Sequence, residues 1–239
     1  MLSLRSRYHE PVRGSRDDGT ELVREALGTH GVVAGLDEVG RGALAGPVVV
    51  GISSVVTWTS PPPGLTDSKL LSARQREKLC GPLSHWVYEW ALGAASAREI
   101  DEVGLRAALA LASSRALRRL KSPPELVFID GPLDLLAGSP LPPEQTPEIR
   151  CVVGGDRTVP VISAASILAK VVRDAAMVEL GRAFPNFHWA RNRGYGTAHH
   201  RAVLRAEGPS PFHRRSWNLG GIEAPRLDLG STEEFAGDQ

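Results

Sequence analysis

The residues of this sequence that could do chemistry together are four acids at the ends of apolar stretches. Asp37 and Glu38 lie within "VVAGLDEVGRGALAGPVVV" (32–50), where an apolar run stands on each side of them. Asp130 ends "ELVFID", and Asp156 lies in "VVGGDRTVP", just past another apolar run. Neighbouring carboxylates repel each other and are costly to bury unless a cation or a proton compensates their charge. If the strands that carry these acids are neighbours, the four side chains meet at one edge of a sheet.

Four carboxylates without histidine or thiolate partners predict a metal site of hard oxygen ligands, which suits magnesium or manganese and is poor for zinc. Carboxylates alone cannot attack a phosphodiester at neutral pH, whereas two metal ions about 4 Å apart can generate hydroxide and neutralise the leaving oxygen. Each acid also has a simpler explanation, since Asp130 could mark a turn and Asp156 could cap a loop. All four at strand ends, beside a basic segment, favour the metal site.

The formal net charge of +1 conceals a basic segment followed by an acidic one. Residues 191–215 contain a single acid, Glu207, and six arginines: Arg191, Arg193, Arg201, Arg205, Arg214 and Arg215. Residues 223–238 contain five acids and one arginine. An arginine-rich stretch is either a solvated surface or a binding surface for a polyanion, and its composition alone does not separate the two.

Length and composition predict one compact domain. A chain of 239 residues with 42% hydrophobic and 23% charged content can bury one substantial core. The longest apolar run, "ALAGPVVVGI", is far shorter than the roughly 20 residues that span a bilayer, and the N-terminal residues lack a hydrophobic signal core. We therefore expect no membrane association and a cytoplasmic location. Cys80 and Cys151 fit neither a disulfide framework nor a cysteine zinc site, and buried thiols are expected.

The hydrophobic periodicity predicts an α/β domain whose mixed sheet positions the acids. Strands are expected at 32–37, 45–56, about 85–94, 125–130 and 149–153. A helix is expected over 96–120, with a capping box of Ser96 and Glu99 at its start and a break at Gly104. A second long helix is expected to start near Ser163.

Three parts of the chain are expected. Residues 1–30 form an N-terminal extension that is partly disordered, with a short helix at 20–28. Residues 31–219 form the main domain and its C-terminal helical segment, and residues 220–239 form a disordered acidic tail. The proline-rich segment 138–147 is expected to be a surface loop.

Several motifs in a fixed order resemble those of type 2 ribonuclease H, the ribonuclease HII family. They are "GLDEVGRG" (35–42), "DSKLLS" (67–72), "FIDG" (128–131), "GGDRTVPVISAASILAKVVRD" (154–174), "GYGT" (194–197) and "HRRSW" (213–217). The series is highly specific and covers about residues 32–217. The resemblance implies a ribonuclease H-like α/β fold, in which helices flank a mixed five-stranded sheet and a helical extension follows at the C-terminus. Residues 31–219 would then be the catalytic domain.

The resemblance also implies an activity. Members of the family are endonucleases that hydrolyse the RNA strand of RNA–DNA hybrids and cut at the 5′ side of single ribonucleotides in duplex DNA, leaving 5′-phosphomonoesters. The expected partners are therefore hybrids and ribonucleotide-containing duplex DNA, the cofactor is Mn²⁺ or Mg²⁺ in a two-metal-ion reaction, and the process is ribonucleotide excision repair. A monomer is expected, and a contact with a replication clamp is left open. The family's catalytic and metal-binding positions correspond to Asp37, Glu38, Asp130 and Asp156.

Further positions match substrate contacts of the family. Gly40, Arg41 and Gly42 match the loop that reads the ribose 2′-hydroxyl, and Tyr195 matches the tyrosine that stacks on the neighbouring deoxyribose. We expect the two glycines to let backbone groups approach the hydroxyl where a Cβ would intrude. A glycine-rich turn without such a role is the alternative.

Polar residues beside these motifs are further candidates for substrate binding. Ser166, Lys170 and Asp174 recur at every fourth position of the second long helix, so they share one face. Lys170 could face phosphate or pair with Asp174, and the pairing is slightly favoured. Lys69 lies in a loop with no acidic residue after it, so a phosphate contact is favoured there.

Two positions depart from the family pattern, with Gly154 in place of the usual lysine and Pro132 in place of the usual asparagine. Neither change touches a carboxylate, so altered affinity or metal preference is expected rather than loss of activity. The adjacent His199 and His200 would point in different directions on a helix, which is a poor geometry for chelation. Both are expected at the surface or in contact with the nucleic-acid backbone.

Two other functions are considered beside a ribonuclease. A catalytically silent nucleic-acid-binding module on the same fold would not need all four acids. A general two-metal nuclease or resolvase gives no reason for the Gly-Arg-Gly loop or for Tyr195. Comparing the cleavage of an all-DNA duplex with that of a duplex holding one ribonucleotide separates the three.

Overall fold

The computed structural model describes residues 16–219 of the chain. The acidic tail at 220–239 and residues 1–15 of the N-terminal extension lie outside the described residues, and so do the predictions of disorder made for them. None of the helices within residues 16–219 combines the length and the hydrophobicity that a transmembrane span requires.

Five strands form one mixed sheet with the order β3-β2-β1-β4-β5. The strands are β1 (Val33–Val39), β2 (Val48–Val55), β3 (Glu89–Ala95), β4 (Leu126–Asp130) and β5 (Glu148–Val152). The pairs β1·β2 and β2·β3 are antiparallel, whereas β1·β4 and β4·β5 are parallel. Because parallel strands run in the same direction, the carboxyl ends of β1, β4 and β5 lie along one edge. The predicted mixed five-stranded sheet is confirmed.

Helices cover both faces of this sheet. They are α1 (Arg16–Leu27), α2 (Ala73–Trp86), α3 (Ala97–Leu117), α4 (Gly155–Thr158), α5 (Pro160–Ala183), α6 (Trp189–Asn192) and α7 (Ala198–Glu207), with short 3-10 helices at Pro143–Gln145 and Pro185–Phe187. Leu36 of β1 packs in the same cluster as the apolar side of α3, whereas Val33 packs with the first turn of α5. Since side chains alternate between the faces of a strand, Asp37 points toward the α5 face.

Helix α5 lies directly on the backbone of β1 and β2. A Cβ on Gly35 would lie 2.3 Å from the backbone nitrogen of Ile162, and one on Gly51 would lie 2.4 Å from the carbonyl oxygen of Ala165. Only glycine allows this approach at these positions. The close contact fixes α5 relative to Asp37, which pairs with Gly51 across the β1·β2 hairpin.

The segment before β3 differs from the prediction. The strand expected from about residue 85 begins at Glu89, and α2, which was not predicted, connects β2 to β3. Its capping box is formed by Ser72 and Gln75, and it contains Pro82. Cys80, on this helix, is half-buried rather than buried.

The other long elements lie close to their expected places. The break in α3 is confirmed, since Gly104 has φ 79° and ψ 159°. Helix α5 begins with Pro160 rather than near Ser163, and α1 takes the place of the short helix expected at 20–28. Cys151 is buried, as expected.

The segment after α5 forms the predicted helical extension and packs on the connection between β1 and β2. Leu44 and Ala45 of that connection share one buried cluster with Trp189, Leu204 and Leu219. An isolated β-bridge between Ala45 and His213 joins the same two parts. The extension therefore lies next to the Gly40–Gly42 loop.

Candidate active site

Three of the four acids line one pocket, and the fourth is hydrogen-bonded to one of these three. Asp37, Glu38 and Asp130 line the pocket, and the backbone N–H of Asp156 donates to Oδ1 of Asp130 at 3.2 Å. Asp37 and Asp156 are buried, with 6% and 2% of their surface exposed. The structure thus brings together the four acids singled out from the sequence, because β1 and β4 are neighbours and α4 follows β5.

The acids share one electrostatic environment. Burial raises the pKa of Asp37, the charges of Glu38, Asp130 and Asp156 raise it as well, and a Ser166 hydrogen bond opposes them, so that its value is about 8. Burial also raises the pKa of Glu38 and that of Asp130. Holding these groups charged at neutral pH therefore needs additional positive charge.

Three cations of the chain compensate part of this charge, and the most distant of them is Arg157, whose Nε lies 4.0 Å from Oδ1 of Asp156. Nζ of Lys69 lies 2.8 Å from Oδ2 of Asp156, and Nη1 of Arg41 lies 3.1 Å from Oε1 of Glu38. The acidic partner of Lys69 is 87 positions away in the sequence, so the residues around Lys69 do not show it, and the phosphate contact of Lys69 stays a prediction. Lys69 is itself held by the buried Asp67, whose Oδ1 accepts the Lys69 backbone N–H.

The donor set fits a hard divalent cation. Within residues 16–219, no three His, Cys, Asp or Glu side chains form a ready-made group of ligands, and Asp156 is engaged by Lys69. All four acids nevertheless offer oxygen atoms, and the raised pKa values of Asp37, Glu38 and Asp130 show that the cations of the chain do not fully compensate their charge. Buried oxygen ligands with an excess of negative charge are what Mg²⁺ and Mn²⁺ prefer.

Helix α5 supplies the polar wall beside the acids. Ser166 is buried, and its Oγ lies 2.9 Å from Oγ of Ser68. The slightly favoured pairing of Lys170 is observed, with Nζ 2.6 Å from Oδ1 of Asp174. Ser166, Lys170 and Lys69 all line the pocket, so they remain available to a ligand there.

The Gly40–Gly42 loop and Tyr195 line the same pocket. Gly40 has φ +90°, and a Cβ there would lie 2.1 Å from Nε of Arg173. The expectation that this Cβ would intrude on a ligand is therefore corrected, since it would collide with a buried arginine. A Cβ on Gly42 would enter open space.

Tyr195 is 36% exposed, and the centre of its ring lies 5.6 Å from the guanidinium carbon of Arg173.

The two adjacent histidines have different environments. His199 is exposed and stacks on His188, whereas His200 is buried, which corrects the expectation of a surface residue. Nδ1 of His200 lies 2.9 Å from the carbonyl oxygen of Tyr195, and its Nε2 lies 2.9 Å from Nε2 of His213. Nδ1 of His213 accepts the backbone N–H of Ser210.

These contacts define the protons of both rings. His200 donates from Nδ1, because a carbonyl can only accept, and His213 donates from Nε2, because its Nδ1 accepts. Both rings are therefore neutral. Burial lowers the pKa of each, that of His213 to about 4.

Sequence reasoning missed two buried arginines. Arg173 and Arg214 have no exposed surface, and both donate to backbone carbonyls around the Gly40–Gly42 loop. Arg214 belongs to the basic segment, so that segment is only partly a surface, with Arg191, Arg201 and Arg205 exposed. The motif "HRRSW" marked the place, but nothing in its letters shows which arginine is buried.

The two departures from the family pattern lie two positions from Asp156 and from Asp130 in the sequence, and neither residue lines the pocket. Gly154 has φ +72° and precedes α4, a conformation that favours glycine over lysine. Pro132 is exposed and follows Gly131, which has φ +84°.

The sequence pattern of ribonuclease HII matches residues 34–219. The chain belongs to the ribonuclease HII family. It is 47% identical to ribonuclease HII of Streptomyces avermitilis over 186 residues, and this aligned region covers 78% of this chain and 76% of the relative. It is also 47% identical over 219 residues to ribonuclease HII of Parasynechococcus marenigrum, over 90% of this chain and 95% of the relative. Ribonucleases HII are endoribonucleases that degrade the RNA strand of RNA–DNA hybrids.

The fold agrees with this assignment. The solved structure of ribonuclease H2 from Pyrococcus horikoshii OT3 matches with a TM-score of 0.62 and 27% identity, over 79% of this chain and 94% of that one. The ribonuclease H-like fold predicted from the motifs is therefore confirmed.

Proposed function

We propose that this protein hydrolyses the RNA strand of hybrids and also cuts at the 5′ side of a single ribonucleotide embedded in duplex DNA. The observation that carries the proposal is one pocket lined by three acids, the Gly40–Gly42 loop and Tyr195. The acids offer a site for the reaction, while the loop and the aromatic ring offer contacts to two successive sugars. A pocket with both features suits a ribose followed by a deoxyribose.

The carboxylates hold the cofactor in this proposal. Mg²⁺ or Mn²⁺ bound in a pair would activate the attacking water and stabilise charge on the leaving oxygen. Asp37, Glu38, Asp130 and Asp156 would be the ligands. The backbone N–H of Glu38 donates to Oδ1 of Asp37 at 2.8 Å, and the backbone N–H of Asp156 donates to Oδ1 of Asp130 at 3.2 Å, so backbone groups help to orient these two carboxylates.

Basic residues around the acids position the phosphates. Lys69 is held by Asp156, and its side chain is 71% exposed, so it can turn to a phosphate once a cation takes its place. Lys170 stands beside Ser166 on the pocket wall. Phosphate contacts of this kind set the register of the duplex and carry little sequence information.

The sugars provide the selectivity. At a single position, RNA differs from DNA by the 2′-hydroxyl, which both donates and accepts hydrogen bonds. The Gly40–Gly42 loop presents backbone groups to the pocket, and Tyr195 presents the face of a half-exposed ring for stacking. One ribonucleotide therefore suffices for recognition.

Three duplexes of one sequence test the proposal: all DNA, DNA with one ribonucleotide, and DNA with one 2′-O-methyl ribonucleotide, each with Mg²⁺ and with Mn²⁺. We expect cleavage of the second duplex alone, with a 3′-hydroxyl on the DNA and a 5′-phosphate on the ribonucleotide. Cleavage of the 2′-O-methyl duplex at the same rate would contradict a hydroxyl-reading pocket. Tight binding without cleavage in either metal would favour the silent binding module.

The monomeric state and a role in ribonucleotide excision repair stay predictions from the resemblance. The cytoplasmic location stays a prediction from the sequence composition, and a contact with a replication clamp stays an open alternative.

A further inference from the structure

Arg214 carries a buried charge that no carboxylate neutralises directly. Its side chain has no exposed surface, and among residues 16–219 no carboxylate oxygen lies within 4.0 Å of its guanidinium group. One face is covered by Trp217, whose ring centre lies 4.8 Å from the guanidinium carbon. A buried charge is stable only when polar groups replace the water it has lost.

Backbone carbonyls replace that water. Nη2 of Arg214 donates to the carbonyl of Gly40 at 2.6 Å, Nη1 donates to that of Arg41 at 2.7 Å, and Nη2 also donates to that of Gly46 at 3.2 Å. The planar fork of an arginine suits two such bonds to successive residues. These bonds hold the carbonyls of the loop toward the interior.

The same bonds determine where the loop's amides point. The C=O of one residue and the N–H of the next point in opposite directions across a planar peptide. Because the carbonyls of Gly40 and Arg41 point toward Arg214, the N–H groups of Arg41 and Gly42 point away from it. The loop lines the pocket on that side. Neither N–H has an acceptor among the described residues.

The guanidinium also makes these amides better donors. A hydrogen bond to a carbonyl polarises its peptide, which strengthens the N–H on the other side. The Arg41 side chain is not needed for this contact, since it pairs with Glu38. Two unpaired, polarised amides directed at a pocket are a site for an oxygen of the ligand.

We propose that Arg214 is a positioning residue that sets the selectivity of the pocket for ribonucleotides, by presenting the amides of Arg41 and Gly42 to the ribose 2′-hydroxyl. The inference rests on the proposed function and names the residue that enforces its selectivity. Arg173 packs against Gly40 and is itself fixed, since it donates to the carbonyls of Pro47 at 2.9 Å and Arg193 at 3.1 Å.

The test compares Arg214→Gln and Arg214→Lys with the unaltered protein. Arg182→Gln is the control, because it removes one positive charge from a side chain that is 74% exposed on the outer part of α5. Two quantities are measured in one assay: kcat/KM for a duplex with a single ribonucleotide, and the inhibition constant of an all-DNA duplex of the same sequence. The second quantity reports contacts that do not involve the 2′-hydroxyl.

We expect Arg214→Gln to lower kcat/KM about tenfold or more, because hydrogen bonds to a charged group are lost. The inhibition constant should change by less than about twofold, since phosphate contacts carry that binding. Arg214→Lys keeps the charge but cannot bind two carbonyls at once, so its kcat/KM should lie between that of Arg214→Gln and that of the unaltered protein. If Arg214→Gln does not fold, the lysine variant alone tests the inference. Arg182→Gln should match the unaltered protein.

A parallel change of both quantities would show a merely structural role and overturn the inference, as would an unchanged kcat/KM in both Arg214 variants. These outcomes leave the proposed function intact. An unaltered protein that does not cleave the single-ribonucleotide duplex would instead overturn the proposed function, and the inference with it.

Discussion

The four carboxylates and the two buried arginines are both groups of like charge inside one protein, but their surroundings treat them differently. The pKa of Asp37 is raised to about 8, because burial and neighbouring acids are not matched by enough positive charge. Arg173 and Arg214 are each solvated by carbonyl groups of the chain. Burial also lowers the pKa of both arginines, that of Arg214 to about 10, which is still far above neutral pH. The acids are therefore left as a site for external cations, whereas the arginines belong to a fixed frame.

Removing one acid should have the largest effect. Asp130→Asn should lower cleavage to below a few per cent, because an amide cannot supply the charge that a divalent cation requires. Its Oδ1 can still accept the Asp156 N–H, so the fold should persist. Without metal, thermal unfolding should occur at an equal or higher temperature, because repulsion among the acids is relieved.

The exposed Glu144 offers the matched control, since Glu144→Gln removes an acid outside the pocket and should leave cleavage unchanged. Substantial turnover by purified Asp130→Asn would mean that the acids are not the metal site. A lower unfolding temperature for this variant would mean that the carboxylates are better compensated than their pKa shifts indicate.

Substitution of Tyr195, whose ring lies beside Arg173, should have the second-largest effect. Tyr195→Ala removes a stacking surface worth about 1 to 3 kcal/mol, so cleavage at a ribose–deoxyribose step should fall roughly tenfold or more. Tyr195→Phe keeps the ring and should retain most of the activity. Both variants are assayed on a duplex with one ribonucleotide and on a long hybrid, and equal losses on both substrates would argue against a contact specific to the junction.

The histidines next to Arg214 make the arginine frame sensitive to pH. His213 has a reference pKa of 6.5, which is lowered to about 4 in the folded protein, so the unfolded chain takes up the proton first. The contribution of His213 to stability is therefore fully present above pH 6.5 and is lost as the pH falls toward 4. The free energy of unfolding should fall by roughly 2 kcal/mol between pH 7 and pH 4.5 from this group.

Denaturant unfolding of the unaltered protein and of His213→Gln at both pH values isolates this contribution, because the glutamine does not titrate. The raised acids act in the opposite direction, but they are common to both proteins. The same pH dependence in the two proteins would show that His213 is not held neutral.

The smallest effect should come from the cation in the carboxylate pocket. Lys69→Met removes the ammonium that engages Asp156, so metal affinity in the absence of nucleic acid should rise several-fold. Affinity for the duplex should fall, because a phosphate contact is lost. Calorimetric titration with Mn²⁺ measures the first change, and unchanged metal affinity would show that Lys69 does not compete with the cation.

The carboxylates could be found from the sequence because they stand at the ends of short apolar runs, and each run became a strand of the sheet. Helix α2 was missed for a local reason. Gly81 and Pro82 interrupt its helical pattern, and the alternation after His85 resembles a strand. The capping box of Ser72 and Gln75 was the signal that could have shown its start.

The contacts that complete the pocket could not be predicted, because they join distant parts of the chain. Lys69 meets Asp156, and Arg214 meets Gly40, only after the sheet and the extension have packed. The composition of the basic segment also does not distinguish the buried Arg214 from the exposed arginines of the same segment. Which arginine is buried depends on how the extension docks beside Ala45, and a single sequence does not reveal that docking.

The bond between Arg214 and Gly40 spans 174 positions of the chain. During translation, the N-terminal part of a protein is made first and begins to fold first. All four acids are therefore synthesised before the arginine that orients the Gly40–Gly42 loop. If Arg214 orients the loop amides as proposed, a growing chain that has not yet reached residue 214 holds all four acids but not the oriented amides, and selection of a ribonucleotide begins only after that codon has been translated.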